Sequence, residues 1–271
     1  MSTKPIHVRA CEEVLKADRA YNIEHDILPS EVKIVDRLLA RSDQLIDAYN
    51  DIYTKLHPYP EALKVFLGCV VNTAAFWNSD KMAKARESRR EQKKLNADIA
   101  KQAGALAQLL ERQSELNNRS HFISDAHHHI VDLIVEAAHA NGYFRSYVKE
   151  PLELLAARFD PNYWPSLAEV LNALAFDALQ SDVEPVNSTT AAGTAGSRPS
   201  KADYFNSLFD QLSLCTVDRG GFLPTDFKAT DEALADLANC ALDLPEGHWV
   251  DGPYVKRRRQ QLRLQTAGET D

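Results

Sequence analysis

The chain has 271 residues, 44% of them apolar and 26% charged, with a formal net charge of -8. This profile belongs to a globular protein with a core and excludes a fibrous or disordered one. Gly is scarce at 10 residues, and no G-x-x-x-x-G-K-[ST], G-x-G-x-x-G or G-x-S-x-G occurs, so nucleotide hydrolysis and dinucleotide chemistry are not expected.

Ala and Leu are abundant and strand-like alternation is rare, which predicts an all-α fold. The first helix is expected over 6–21. A second runs from Glu31 to Leu56 behind Pro29 and the N-cap candidate Ser30. Val32, Val35, Leu38, Leu39, Leu45, Ile46 and Ile52 form its apolar stripe. "HPYP" (57–60) ends it. The apolar stretch 61–77 follows as a buried core helix. It is too short to span a bilayer and contains Lys64 and Asn72, so no membrane partner is expected.

A long coiled-coil-like helix is predicted over 81–117. At 1.5 Å per residue it would extend about 55 Å. Leu95, Ile99, Leu106, Leu109, Leu110 and Leu116 fall on one stripe, and Arg86, Arg89, Arg90, Lys93 and Lys94 on the opposite side. Leu95, Ile99, Leu106, Leu109 and Leu116 are therefore the expected seam for a protein partner or for self-association. A histidine-rich helix then runs to a stop at Asn141-Gly142. Pro151 opens a short helix to Phe159, and Ser166 caps another to Leu179.

Positions 181–201, "SDVEPVNSTTAAGTAGSRPSK", are small, polar and rich in Gly and Pro. They read as a flexible linker between a helical domain, 1–180, and a small module, 202–265. The module is expected to hold three helices: 202–214, 230–242, and a closing helix opened by Asp251 and Pro253. The last two resemble a helix-turn-helix in outline over 230–264, with a connector longer than the tight turn of that motif.

The closing helix carries the main candidate site. Val255 and Leu262 are its docking residues. Lys256, Arg257, Gln260, Gln261 and Arg263 point away and are of the types that contact phosphates and base edges. The module as a whole is acidic, with eight Lys/Arg against twelve Asp/Glu over 201–271, so only a local patch could recruit a polyanion.

In "SDAHHHIVDLIVEAAH", His128, His129, Asp132, Glu136 and His139 share the polar side of the predicted helix and His127 falls on the apolar side. Glu136 and His139 form an E-x-x-H, which resembles the ligand pair of di-iron bundles. The second such pair is missing, and His128/Asp132 lies about 10 Å from it along the axis, so neither metal nor cofactor is expected. His25-Asp26, with His7 upstream and Asp36, Asp43, Asp47 or Asp51 downstream, resembles the H…HD…D pattern of HD-type phosphohydrolases. The four cysteines make no C-x-x-C and read as free thiols in a reducing, cytoplasmic setting. The expected function is a non-enzymatic nucleic-acid-associated or regulatory protein acting through the closing helix. The alternatives are a scaffold subunit assembling through 81–117 and a metal-dependent phosphohydrolase.

Overall fold

The computed structural model describes residues 4–122, 124 and 129–268. Among them the regular structure is helical, with thirteen α-helices and no β-strand. The chain divides into two compact units. One joins Met1–Glu87 to Glu184–Asp271, and the other is Ser88–Val183.

The first unit contains α1 (Ile6–Glu24), α2 (Pro29–Ala40), α3 (Ile46–Leu56) and α4 (Ala62–Phe76). The start of α5 (Ser79–Arg119) also belongs to it, followed by α10 (Ser188–Thr194), α11 (Lys201–Leu214), α12 (Asp231–Ala241) and α13 (Gly252–Gly268). The hydrophobic helix expected at 61–77 is α4. It packs against α1, α2, α3, α11 and α12, and buries Phe66, Leu67, Val70 and Val71. A helix apolar on most sides needs neighbours on most sides.

The predicted helix 31–56 is broken into α2 and α3 by a short 3-10 turn, Ser42–Gln44. Ser42 is buried there and accepts a hydrogen bond from Lys4 Nζ at 3.1 Å. The break turns Leu45, Tyr49 and Ile52 into the core, where all three are buried. Glu12 sits beside this turn, bonded by Lys4 and Lys16. Burial alone would raise its pKa. Hydrogen bonds from Lys4, Lys16 and Ser42, with the charge of Lys16, outweigh burial and hold the carboxyl down at about 2.

The expected linker, 181–201, is instead largely built into the first unit. Asn187 Oδ1 accepts from Thr190 N at 2.8 Å and caps α10. Ser188 and Thr189 donate their hydroxyl hydrogens to Asp210 at 2.9 and 2.8 Å. Asn206 Nδ2 donates to Ala192 O at 3.0 Å. A Cβ on Gly193 would lie 2.4 Å from Ser207 Oγ and 2.9 Å from Trp77, so the small residue allows close approach of helix to helix. Arg86 closes the arrangement. It pairs with Asp203 at 2.9 Å and donates to the carbonyls of Gly193 and Gly196. Composition that reads as flexibility is here the composition of tight packing.

The division at 180/202 into two domains changes accordingly. Buried residues from Val8 to Ala75 and from Tyr204 to Val255 form one continuous core, so α11, α12 and α13 are part of the same body as α1 to α4. Lys55 Nζ donates to Lys228 O at 2.9 Å, and Asp51 Oδ2 accepts from Thr230 N at 2.9 Å. The α12–α13 connection, 242–251, includes a 3-10 turn at Glu246–His248, and so lacks the tight turn of a helix-turn-helix.

The second unit contains most of α5, then α6 (Ile130–Ala137), α7 (Gly142–Tyr147), α8 (Lys149–Arg158) and α9 (Leu167–Gln180). Ser166 and Glu169 form a reciprocal capping box on α9. The histidine-rich helix is shorter than expected. His129 is the N-cap of α6, its ring accepting from Val131 N at 3.3 Å. Asn141 does not stop a helix but caps α7, accepting from Tyr143 N and Phe144 N. An Asn side chain serves either end, and the chain here uses it as an N-cap.

Candidate functional site

Two helix faces and one groove are the candidate sites. The first face is on α13. Asp251 Oδ1 accepts from Tyr254 N at 2.9 Å and starts the helix. Val255 is fully buried and Leu262 half-buried, which places both on the docking edge. Tyr254 packs on Phe205, ring centroids 5.9 Å apart.

Two of the helix's cations are used internally. Arg258 Nε donates to Asn206 Oδ1, and its Nη1 donates to Gln261 Oε1 at 3.0 Å. Arg259 Nη1 lies 3.0 Å from Asp231 Oδ1, near enough for an ion pair but out of line for a hydrogen bond. Its Nη2 donates to Ala229 O at 3.3 Å, and its guanidinium stands 5.2 Å over the Phe209 ring. Burial pulls the pKa of Arg259 below its usual value, Asp231 opposes the shift, and nearby Arg263 adds to it. Lys256, Arg257, Gln260, Gln261 and Arg263 are exposed. The five predicted residues thus lie on the solvent side, and the two arginines flanking them hold the helix to α11 and α12.

Beside this helix lies an open groove of about 900 Å3 between α10, α11, the 216–229 segment and α13. Phe209, Leu212, Leu223 and Leu262 give it an apolar lining, and Asp210, Asp226, Lys228 and Arg263 are also at its wall. Asp210 is engaged in holding α10. Its hydroxyl groups are those of Ser188, Ser213, Thr216 and Thr225, and no His, Cys or Glu is among its lining residues.

The second face is on α5. Asn78 Oδ1 accepts from Lys81 N at 2.9 Å at the start of the helix. Ala103 and Ala107 are buried, and Asn96, Ala100, Leu110 and Asn117 are half-buried on the same side. The predicted seam lies one residue round the helix from this stripe. Leu95, Ile99, Leu106, Leu109 and Leu116 are 44–67% exposed. Gln102 and Gln113 complete the same alternation of four- and three-residue steps. A 7-residue repeat of this kind, apolar at every position but these two glutamines, is what a supercoiled partner helix requires.

The other candidates separate. His7 and His25 lie at opposite ends of α1, roughly 27 Å apart at helical rise, so they cannot share an ion in the manner of HD-type enzymes. His25 Nδ1 is 2.9 Å from Tyr21 O, and its ring stacks on Tyr21. His127 and His128 lie outside the described residues. His139 is beyond the end of α6, its Nδ1 2.7 Å from Glu136 O, so the E-x-x-H does not present two side chains to one point. Among the described residues, no group of three or more His, Cys, Asp or Glu is placed to hold a metal ion, and no helix is long and apolar enough to cross a membrane.

Sequence reasoning missed Arg86–Asp203, Arg259–Asp231 and the groove. Their partners are far apart along the chain, and periodicity carries no signal for them. The buried side of α5 did have a signal. Ala100, Ala103 and Ala107 repeat at the same spacing as the leucines, and small residues are those that let a helix approach closely. Comparison with protein-family models, with curated proteins and with solved structures found no significant match.

Proposed function

We propose that this chain is an assembly protein rather than an enzyme, joining a partner helix through the leucine seam of α5. One observation carries the reading: five large aliphatic side chains at heptad spacing stand exposed on a single helix face. Contiguous apolar surface of this kind is rarely left to water unless something covers it. The occupant is an α-helix with its own apolar 7-residue stripe, since only that shape fits knobs into the holes between Leu95, Ile99, Leu106, Leu109 and Leu116. The test is the double variant Leu106→Glu/Leu109→Glu in the full chain. Wild-type protein, alone and in cell extract, is expected to run as a particle heavier than the 30.3 kDa chain by light scattering. The variant is expected to fall to a single chain while its helical circular dichroism is kept. A wild-type particle of one chain in both settings would remove the reading.

A second reading has its own support. Lys256, Arg257, Gln260, Gln261 and Arg263 form an exposed face on a helix anchored by Val255, suited to a polyanion such as nucleic acid. Arg257→Glu/Arg263→Glu should abolish retention on immobilised DNA or RNA at low salt and flatten its salt dependence. Unchanged retention would discard that face.

A further inference from the structure

We infer that the partner helix is α5 of a second copy of this chain, running antiparallel about a two-fold axis near Ala107. The inference rests on the assembly reading and adds the occupant, its direction and its register. A two-fold interface is built from one patch meeting itself, so the patch must be self-complementary. The seam has five apolar positions interrupted by Gln102 and Gln113, and is bounded by Gln92 before it and Ser120 after it.

Sliding two antiparallel copies past each other in heptad steps leaves few registers. One sets Ile99 opposite Leu116, Leu106 opposite Leu109, and Gln102 opposite Gln113. Every apolar side chain from Ile99 to Leu116 then meets an apolar one, and each glutamine meets a glutamine. The next register, one heptad away, places Leu106 against Gln102 and Leu95 against Gln113, burying amides against leucines. Unmatched polar groups in such a seam are costly, which is how seams select register.

Charge selects the direction. In the favoured register the flanking position Asp98 comes beside Arg119 of the other copy, and the symmetry makes this pair twice. Arg119 is exposed and Asp98 partly so. A parallel pair would also align each seam residue with its own copy. However, it would set the flanking Asp98 beside Ala103 of the other copy instead of beside a cation. Only the antiparallel form gains the Asp98–Arg119 pair, so the parallel form is disfavoured.

The test uses the full chain with Cys215→Ser, which removes the one cysteine that is not buried. Leu106→Cys and Leu109→Cys are made as separate variants, then mixed and oxidised. A cross-linked dimer in the mixture, with little from either variant alone, is expected. Cross-linking of Leu106→Cys by itself would overturn the antiparallel register. Asp98→Arg should weaken dimerisation of wild-type background about tenfold, and adding Arg119→Asp should restore it. Failure of that restoration would also overturn the register. If the wild-type chain is a monomer alone but its larger particle in extract still depends on Leu106 and Leu109, the second copy is wrong and the assembly reading stands. If neither particle depends on them, both fall.

Discussion

The two units of this molecule differ in which apolar side chains they bury. In the unit formed by Met1–Glu87 and Glu184–Asp271, Tyr49, Phe66, Tyr204, Phe205, Leu38 and Leu67 are all fully buried. In the unit Ser88–Val183, the buried apolar residues among those described are Ala103, Ala107, Val131, Ala168 and Ala178, while Leu154, Phe176 and Leu179 are about two-thirds exposed. Both units are helical and both carry amphipathic patterns. The lesson is that an apolar stripe states only that a surface prefers cover, and not whether the chain itself provides it. One unit packs large side chains into a continuous core while still exposing others such as Tyr21, Val217 and Phe222. The other buries chiefly small ones and leaves its large aliphatic stripes available, which is the physical basis for reading it as the assembling part.

The comparison can be broken by substitution. The largest contrast is expected between Phe205→Ala and Leu154→Ala. The first empties a packed site and should cost ~3–5 kcal/mol in denaturant unfolding. The second removes an exposed side chain and should stay within about 0.5 kcal/mol. Similar costs for the two would mean that the second unit has a core of its own after all.

Arg86→Met comes next. It leaves Asp203 buried without its cation and frees the carbonyls of Gly193 and Gly196. Removing one partner of a buried pair costs ~3 kcal/mol or more. Elastase, which cuts after small residues, should cleave faster within 191–196 in parallel, because Arg86 holds that segment. Cleavage at the wild-type rate would show that α10 stays docked without it.

The smallest effect sharpens the picture of the first unit. Glu12 has its carboxyl lowered from 4.5 to about 2. A depressed carboxylate stabilises the fold above its unfolded pKa, and the gain is lost as pH falls through the window between those values. The contribution at neutral pH is on the order of 1–2 kcal/mol, discounted because Lys4 and Lys16 are exposed. In Glu12→Gln, the loss of thermal stability between pH 5 and pH 2 should be shallower than in wild type. Equal slopes would assign the acid sensitivity to other carboxylates.

Much of the helical framework was readable beforehand. The long helix, the core helix at α4 and the capped start of α9 follow from periodicity and caps. Helical hydrogen bonds join residues four apart, so local sequence decides them. The five outward residues of α13 and the five seam residues of α5 also fell where a helical wheel puts them. The candidate site was thus legible as two faces, but not as a choice between them.

Other features depended on the folded chain. Ser42–Gln44 breaks a continuous pattern because Leu45 and Tyr49 gain more by turning inward than a straight helix would allow. The stretch from Asn187 to Gly196 is ordered because Arg86, Asp203, Asn206 and Asp210 meet it from distant positions. By itself the sequence determined which segments coil and which side of each coil is oily. Tertiary structure alone decided that the two ends of the chain share a core, that Arg258 and Arg259 are spent on docking, and that the leucines of α5 are left in water. Those outcomes depend on contacts between residues remote in sequence, whose pairing is selected by the summed packing of the whole unit and leaves no local trace.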